Sequence, residues 1–375
     1  MVIPLSWYSY FMASPFPHHG PLDPEQVRGR EDVAADLALR LADRRPVALL
    51  APRRFGKTSL IRHTLHALDQ AGVAASVQVD LFGVDSFSDF AARLDKALVA
   101  ARGRLRPIID NVAAGLAVHL GVVSVELRRP ARNAPDPVAS CHGLLEVLTA
   151  AAAREPLVLA VDEFSDVVRV DGLDALLRTH LQDHYTRMGL VFAGSKPSMM
   201  RTLFSNRQRP FFSQADIVEL GGLDQAAVSG IIHDGFAASG RQAGPVAVRA
   251  WALGRGHPQR TMQLADAAWR RTLGGEGADE AIWATALGDV QTSVDNTFAA
   301  FYDELPATQG AVLRSVARSG SAFAASEARF HDLSNSSITA ARDNLVRDGH
   351  LEAVQPNKVA VTDPLLEDWL RRTFP

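Results

Sequence analysis

The sequence predicts an α/β protein: a parallel sheet with helices between its strands, then a helical stretch, then a small helical domain closed by a hairpin. Three observations predict it. Short apolar runs at 47–50, 156–161 and 189–193 suit strands buried on both faces. Segments with helical periodicity lie between these runs, which argues for right-handed crossovers and a parallel sheet. After Gly222 the strand signal stops until residue 351.

Residues 1–25 are rich in Pro, His and aromatic residues without periodicity, and read as an extended arm. Val33, Leu37 and Leu41 lie four apart on one helical face, and Arg45-Pro46 ends that helix. The run 47–50 is the first strand, 59–70 the next helix and 75–81 the second strand. The stretch 83–155 reads as an insertion of helices around a possible strand at 121–127. It holds two basic clusters: Arg102, Arg104 and Arg106, then Arg128, Arg129 and Arg132. They read as solvated surface, with a partner-binding insertion as the alternative. A third strand at 156–161, a helix at 173–187, a fourth strand at 189–193 and a fifth at 217–220 complete the core. Residues 223–300 read as several short helices turned by 254–258. Helical stretches near 307–318, 325–333 and 335–348 then precede a hairpin of 351–355 and 358–362 around Pro356-Asn357. That is the winged-helix order. The expected domains are therefore an arm (1–25), a core (26–222, with an insertion at about 83–155), a helical stretch (223–300) and a winged helix (301–375).

Composition bounds the function. The chain has 375 residues, 47% hydrophobic and 22% charged, as in a soluble globular protein of two or three domains. A net charge of −3 gives no global field toward nucleic acid or anionic lipid. Cys141 is the only cysteine, so no internal disulfide forms and a reducing cytoplasm is the expected home. The apolar stretch 3–12 is too short to span a bilayer and lacks the pattern of a signal peptide.

Two motifs carry chemistry. Directly after the first strand stands Ala51-Pro52-Arg53-Arg54-Phe55-Gly56-Lys57-Thr58, followed by Ser59 and a helix. Strand, G-x-x-x-x-G-K-[ST], helix is the phosphate-loop pattern, with Ala51 in place of its first glycine. Backbone N–H groups and the helix N-terminus would hold phosphate there. Gly56 supplies backbone freedom and close approach. Lys57 would reach the β- and γ-phosphates, and the Thr58 hydroxyl suits Mg2+. The third strand ends in Asp162-Glu163, two carboxylates at the edge where open α/β sheets bind ligands. Asp162 would hold the metal, and Glu163 would orient and deprotonate the attacking water. Ser195, after the fourth strand, is a candidate for contact with the γ-phosphate or that water, or else a turn cap.

These pieces resemble the archaeal-type ATPase group within the AAA+ and STAND P-loop NTPases. The likeness runs through Ser14-Pro15-Phe16 to Gly29-Arg30-Glu31, the phosphate loop, the acidic pair with Phe164, and Gly194-Ser195-Lys196 with Met199-Met200. It continues through Arg209-Pro210-Phe211-Phe212, then Gly256-His257-Pro258-Gln259-Arg260, Asp363-Pro364-Leu365 and Trp369-Leu370-Arg371. The resemblance implies a parallel-sheet P-loop NTPase core of AAA+ type, a helical lid at 223–300 and a C-terminal winged helix. It also implies ATP with Mg2+, Val27 and Arg28 near the adenine, and Pro258 closing over the nucleotide. Related proteins often carry an arginine finger where Ser213-Gln214 stand here. Arg207 and Arg209 are the nearby candidates.

Three functions remain open at this point: an ATP-dependent molecular switch, a DNA-acting ATPase similar to origin-recognition proteins, and a nucleotide-binding scaffold with little turnover. Residues 301–375 hold eight basic and ten acidic residues, a poor counter-charge for phosphates. Docking onto a protein partner, or self-association, is therefore the expected role of the winged helix, with DNA possible but not favoured. Because the family likeness begins at Ser14 and the run Trp7-Tyr8-Ser9-Tyr10-Phe11 has no evident partner, translation is expected to start at Met12.

Overall fold

The computed structural model describes residues 13–101, 103–121, 136–323, 334–355 and 358–375. The expected strand at 121–127 lies, beyond Gly121, outside the described residues. So do Arg102, Arg128, Arg129 and Arg132, the expected helix at 325–333, the Pro356-Asn357 turn and the run before Ala13. The described chain forms two compact units. One holds Asp23–Ala51 and Lys57–Leu220; the other holds 13–22, Pro52–Gly56 and Gly221–Pro375.

The first unit is built on five parallel strands: β1 (Val47–Leu50), β2 (Ala75–Asp80), β3 (Leu157–Asp162), β4 (Met188–Gly194) and β5 (Asp216–Glu219). Their order across the sheet is β2-β3-β4-β1-β5, with Leu50 beside Gly194 and Asp80 beside Asp162 in register. All four residues of β1 and all seven of β4 are buried, as their unbroken apolar runs require. Helices α1 (Glu31–Ala42), α2 (Lys57–Gln70), α3 (Phe87–Ala100), α4 (Leu105–Gly115), α5 (Pro137–Ala152), α6 (Leu173–Leu181) and α7 (Pro197–Ser205) complete it. α6 is shorter than the expected 173–187 and continues as a 3-10 turn, Gln182–His184.

The described helices within 83–155 contribute to the core of this unit. Phe90, Leu94, Leu98, Ile109, Leu144 and Leu148 are buried in the same hydrophobic cluster as the strands. Arg104 and Arg106 make surface ion pairs with Glu155 and Asp110 at 2.6 and 2.8 Å, as solvated surface would.

The second unit contains α8 (Gln225–Ala237), α9 (Val246–Gly254), α10 (Pro258–Arg271), α11 (Glu280–Asp303), α12 (Ala307–Ser319) and α13 (Asn335–Arg347). A two-stranded antiparallel ribbon, β6 (Leu351–Gln355) with β7 (Lys358–Val361), and α14 (Pro364–Thr373) follow. The sequence suggested short helices up to residue 300, but α11 is a single helix of 24 residues. Asp279 caps it, and Trp283, Ala286, Val290, Val294 and Phe298 form one buried stripe with no glycine or proline to interrupt it near residue 300. The arm also does more than extend. Phe16 is buried against Phe236, with ring centroids 5.7 Å apart. A Cβ at Gly235 would fall 2.5 Å from that ring, which explains the glycine in the last turn of α8. No helix among the described residues is long and apolar enough to cross a membrane.

Candidate nucleotide site

β1 lies between β4 and the edge strand β5, so its carboxyl end opens beside that of the middle strand, β4. Ala51 follows it, buried, with its N–H donating to the Gly194 carbonyl at 3.4 Å. Its φ is not positive, so alanine fits where the pattern has glycine. Gly56 is left-handed, with φ 86°, yet a Cβ there would meet nothing within 4 Å of the chain. Conformation, not crowding by protein atoms, makes glycine suitable at this position.

Lys57 and Thr58 then open α2. Lys57 is buried and its Nζ donates to the Ala51 carbonyl at 3.0 Å, folding the ammonium back toward the strand end. The Thr58 hydroxyl donates to Asp162 Oδ2 at 2.5 Å, while Asp162 Oδ1 accepts from the Glu163 N–H at 2.9 Å. Residues over a hundred positions apart thus meet at one sheet edge. Ser59 is buried in the same turn of α2.

Glu163 is left-handed, with φ 50°. That turn sends its carboxylate toward β4, where Oε2 accepts from Ser195 Oγ at 2.6 Å and from the Ser195 N–H at 3.1 Å. Ser195 is buried. Phe164 anchors the turn from below in a cluster with Phe192, Phe204 and Phe211, at centroid distances of 4.6, 5.8 and 5.1 Å.

A neighbouring pair escaped the sequence reading. Asp166 is buried, with Oδ1 on Lys196 Nζ at 3.0 Å and Oδ2 on the Gly83 N–H at 2.9 Å. Burial pushes its carboxyl up, but the Gly83 amide and Lys196 outweigh burial and hold it below the ordinary range. This pair ties the segment after β3 to the segment after β4 and so braces both Glu163 and Ser195. Its only sequence signal was the acid four residues beyond Asp162.

Val27 and Arg28 follow a 3-10 turn, Pro24–Gln26, that docks on α2 through His63 Nδ1 and the Pro24 carbonyl at 2.6 Å. Gly29, with φ 69°, donates its N–H to Glu31 Oε1 at 2.9 Å, which gives the Gly-Arg-Glu segment a mechanical reason. Ala51, Lys57, Thr58, Ser59, Asp162, Glu163, Ser195, Val27 and Arg28 therefore all belong to the first unit.

Pro52, Arg53, Arg54, Phe55, Gly56 and Pro258 group with the second unit. There the Phe55 ring packs edge-on against His257, with centroids 4.8 Å apart. His257 caps α10, accepting from the Arg260 N–H at 3.4 Å, and Pro258 takes the first helical position. A Cβ on Gly256 would fall 2.1 Å from the Leu223 carbonyl, so only glycine fits. Burial pushes the His257 imidazole down to about 4, so it is neutral. Arg260 is buried, and its guanidinium grips Asp363 through Nε at 3.0 and 3.1 Å and Nη2 at 2.6 Å. Desolvation and the nearby Arg260 charge both lower the pKa of Arg54.

The donor set discriminates between metals. Thr58 and Asp162 offer a hydroxyl and a carboxylate, hard oxygens in contact with each other. Among the described residues no group of three or more His, Cys, Asp or Glu could hold a metal ion. A Mg2+ ion that keeps waters and takes phosphate oxygens fits such a site; zinc or a fully caged calcium does not.

No model of a protein family matches this chain, and no curated protein matches it. Solved structures do. A Walker-type ATPase of Pyrococcus abyssi is similar at a TM-score of 0.70 and 15% identity, over 95% of this chain and 99% of that one. The ORC2 protein of Aeropyrum pernix in its ADPNP–ADP complexes is similar at 0.52 and 14%, over 96% and 98%. The ORC1 protein of Aeropyrum pernix in complex with DNA is similar at 0.50 and 14%, over 92% and 93%. At such identities the likeness is one of fold. The chain has the fold of AAA+-type P-loop ATPases, with a five-stranded parallel sheet in its core, as the archaeal-type resemblance implied.

Proposed function

We infer that this protein binds ATP with Mg2+ and hydrolyses it, and that its nucleotide state sets a molecular switch read out through a C-terminal winged helix. The observation that carries the reading is the meeting of Thr58 and Asp162 at 2.5 Å beside the buried Lys57, at the carboxyl end of the central strands. Loop amides of 51–56 and the start of α2 would cradle the phosphates, and Lys57 Nζ would turn from the Ala51 carbonyl to them. Thr58 and Asp162 would hold Mg2+, which when bound neutralises phosphate charge. Glu163 takes the proton from the attacking water, and Ser195 fixes the carboxylate that does so. On the archaeal-type resemblance, Val27 and Arg28 would lie near the adenine and Pro258 would close over the nucleotide.

The switch half of the reading draws on the second unit. Arg260 of α10 and Asp363, the N-cap of α14, form a largely buried ion pair. Arg255 adds contacts to Glu367 at 2.5 Å and to the Val361 carbonyl at 3.2 Å. The lid and the last hairpin and helix are thus locked by charge pairs, the kind of contact that a rigid-body switch breaks and remakes. The same pairing argues against a DNA grip. Arg342 and Arg347 on α13 are each paired with the next residue, Asp343 and Asp348, and Arg371 and Arg372 with Glu367, Asp295 and Asp368. Among the described residues of this stretch, few cations are left to release counterions from a duplex.

The test is turnover of ATP with Mg2+ by the purified chain, with and without duplex DNA. Lys57→Ala should lose ATP binding, and Glu163→Gln should bind ATP but turn it over about a hundredfold to ten-thousandfold more slowly. Equal turnover in wild type and Glu163→Gln would overturn the catalytic reading. Strong stimulation by duplex at physiological salt would replace the switch with a DNA-acting ATPase.

A further inference from the structure

One basic recess of the first unit shares no residue with the phosphate loop or the acidic pair, and it holds Arg207 and Arg209, the arginines nearest the expected finger position. Arg178 and Thr179 of α6 and the segment 207–214 after α7 enclose an open pocket of about 540 Å³. Three of its lining residues are arginines, Arg178, Arg207 and Arg209, and none is acidic. Arg209 approaches Asp174 at 3.7 Å, too long for a hydrogen bond. Arg178 is half-buried, Arg207 is exposed, and among the described residues neither has an ion-pair partner. One carboxylate therefore answers three guanidinium groups, on a chain whose net charge is negative. A partly desolvated guanidinium without a partner is costly, and its planar fork matches a carboxylate or phosphate in two-point contact.

The rest of the lining distinguishes between anions. Gln208 and Gln214 present both amide donors and acceptors, the complement of a peptide backbone. Pro210 and the exposed Phe212 ring add an apolar wall. A nucleic-acid strand is held by a row of phosphate contacts along a groove. Here the cations converge on one recess of a size that holds a few side chains.

We propose that this pocket docks an acidic segment of a partner protein, its carboxylates forked by Arg178 and Arg207 and a neighbouring aromatic side chain set against Phe212 and Pro210. The pocket shares no residue with the phosphate loop, Asp162, Glu163 or Ser195, so peptide binding can be read without ATP turnover.

The test uses the full chain and a fluorescein-labelled heptapeptide, Asp-Glu-Asp-Phe-Asp-Glu-Asp, followed by anisotropy at physiological salt. The double variant Arg178→Ala/Arg207→Ala should bind about tenfold more weakly, the loss of about 1.4 kcal/mol, at an unchanged melting temperature. Arg178→Lys/Arg207→Lys should recover part of the affinity, because it keeps charge but not the fork. Replacing the peptide's phenylalanine by alanine should weaken binding several-fold. Equal peptide affinity in wild type and the double alanine variant would overturn the proposal. So would displacement of the peptide by oligo-dT or inorganic tripolyphosphate at lower concentration than by unlabelled peptide, which would assign the recess to phosphate.

Discussion

Asp363→Ala tests the lock between α10 and α14 quantitatively. Arg260 is 6% exposed, and its guanidinium makes three contacts to the Asp363 carboxylate between 2.6 and 3.1 Å. Removing one partner of a buried pair typically costs about 3–5 kcal/mol. Asp363 retains 21% of its side-chain exposure, so the low end, about 3 kcal/mol, is the appropriate figure. The same carboxylate caps α14, accepting from the Leu365 and Leu366 N–H groups at 3.0 and 3.4 Å. Loss of an aspartate cap adds about 1 kcal/mol. Alanine should therefore cost about 4 kcal/mol, which for a unit of this size lowers its melting transition by about 8–16 °C. Asn keeps the cap and a neutral hydrogen bond to Arg260, so Asp363→Asn should cost about half as much. Scanning calorimetry of the three proteins measures both steps. If the switch operates as proposed, ADP release should also accelerate in the order wild type, Asn, Ala. Equal melting temperatures for the two variants, or a shift below about 2 °C for alanine, would refute the account of the lock.

The other predictions are local. Ser195→Ala removes the 2.6 Å hydroxyl contact to Glu163 but leaves the backbone N–H; kcat for ATP should fall about tenfold with KM little changed, and Ser195→Thr should restore it. His257 is buried with its pKa down at about 4, against about 6.5 unfolded. The unfolded chain therefore binds the proton first, and stability present above pH 6.5 is lost as pH falls toward 4. Between pH 7.5 and 5 the loss is about 2 kcal/mol, and denaturant titrations of His257→Gln should lack that component of the slope. Arg54 sits at φ 68°, a conformation that costs an L-residue about 1 kcal/mol. Arg54→Gly should thus exceed Arg54→Ala in stability in urea unfolding; parity would show that the loop is not strained there.

Much of the core was legible because its signals are local. β1, β3 and β4 are short apolar runs, and their length and the turn residues that bound them favour a strand buried on both faces over a buried helix. The phosphate-loop pattern and Asp162-Glu163 stood out in the sequence because the one follows and the other closes such a run. What the sequence hid is relational. Nothing in the spacing says that Glu163 turns to Ser195, since a left-handed glutamate leaves no compositional mark. The Asp166–Lys196 pair joins residues thirty positions apart and is seen only when β3 and β4 are neighbours. α3 and α4 have pronounced apolar faces and α5 is apolar nearly throughout, but neither pattern says which part of the core covers them. The continuous α11 was missed because its buried stripe carries the helix through Gly288, where a break could equally be read.

Backbone strain at the candidate site is unevenly placed. Among the described residues, six that are not glycine have positive φ, and three of them are Arg54, Glu163 and Arg255. These three stand in the phosphate loop, directly after β3, and directly before Gly256. Each is charged, and each faces a turn that glycine would make at lower cost. Left-handed L-residues of this kind cost about 1–3 kcal/mol and persist only where surrounding packing over-determines them. For Glu163 that packing is visible: the buried Phe164 on one side and the two Ser195 contacts on the other. For Arg255 it is the pair with Glu367 and the Val361 carbonyl. A glycine at either place would relax the backbone but delete the carboxylate or guanidinium that the turn delivers. At Glu163 and Arg255 the strain is the cost of aiming a charge, whereas Arg44, Ala117 and Ser213 are left-handed away from these turns.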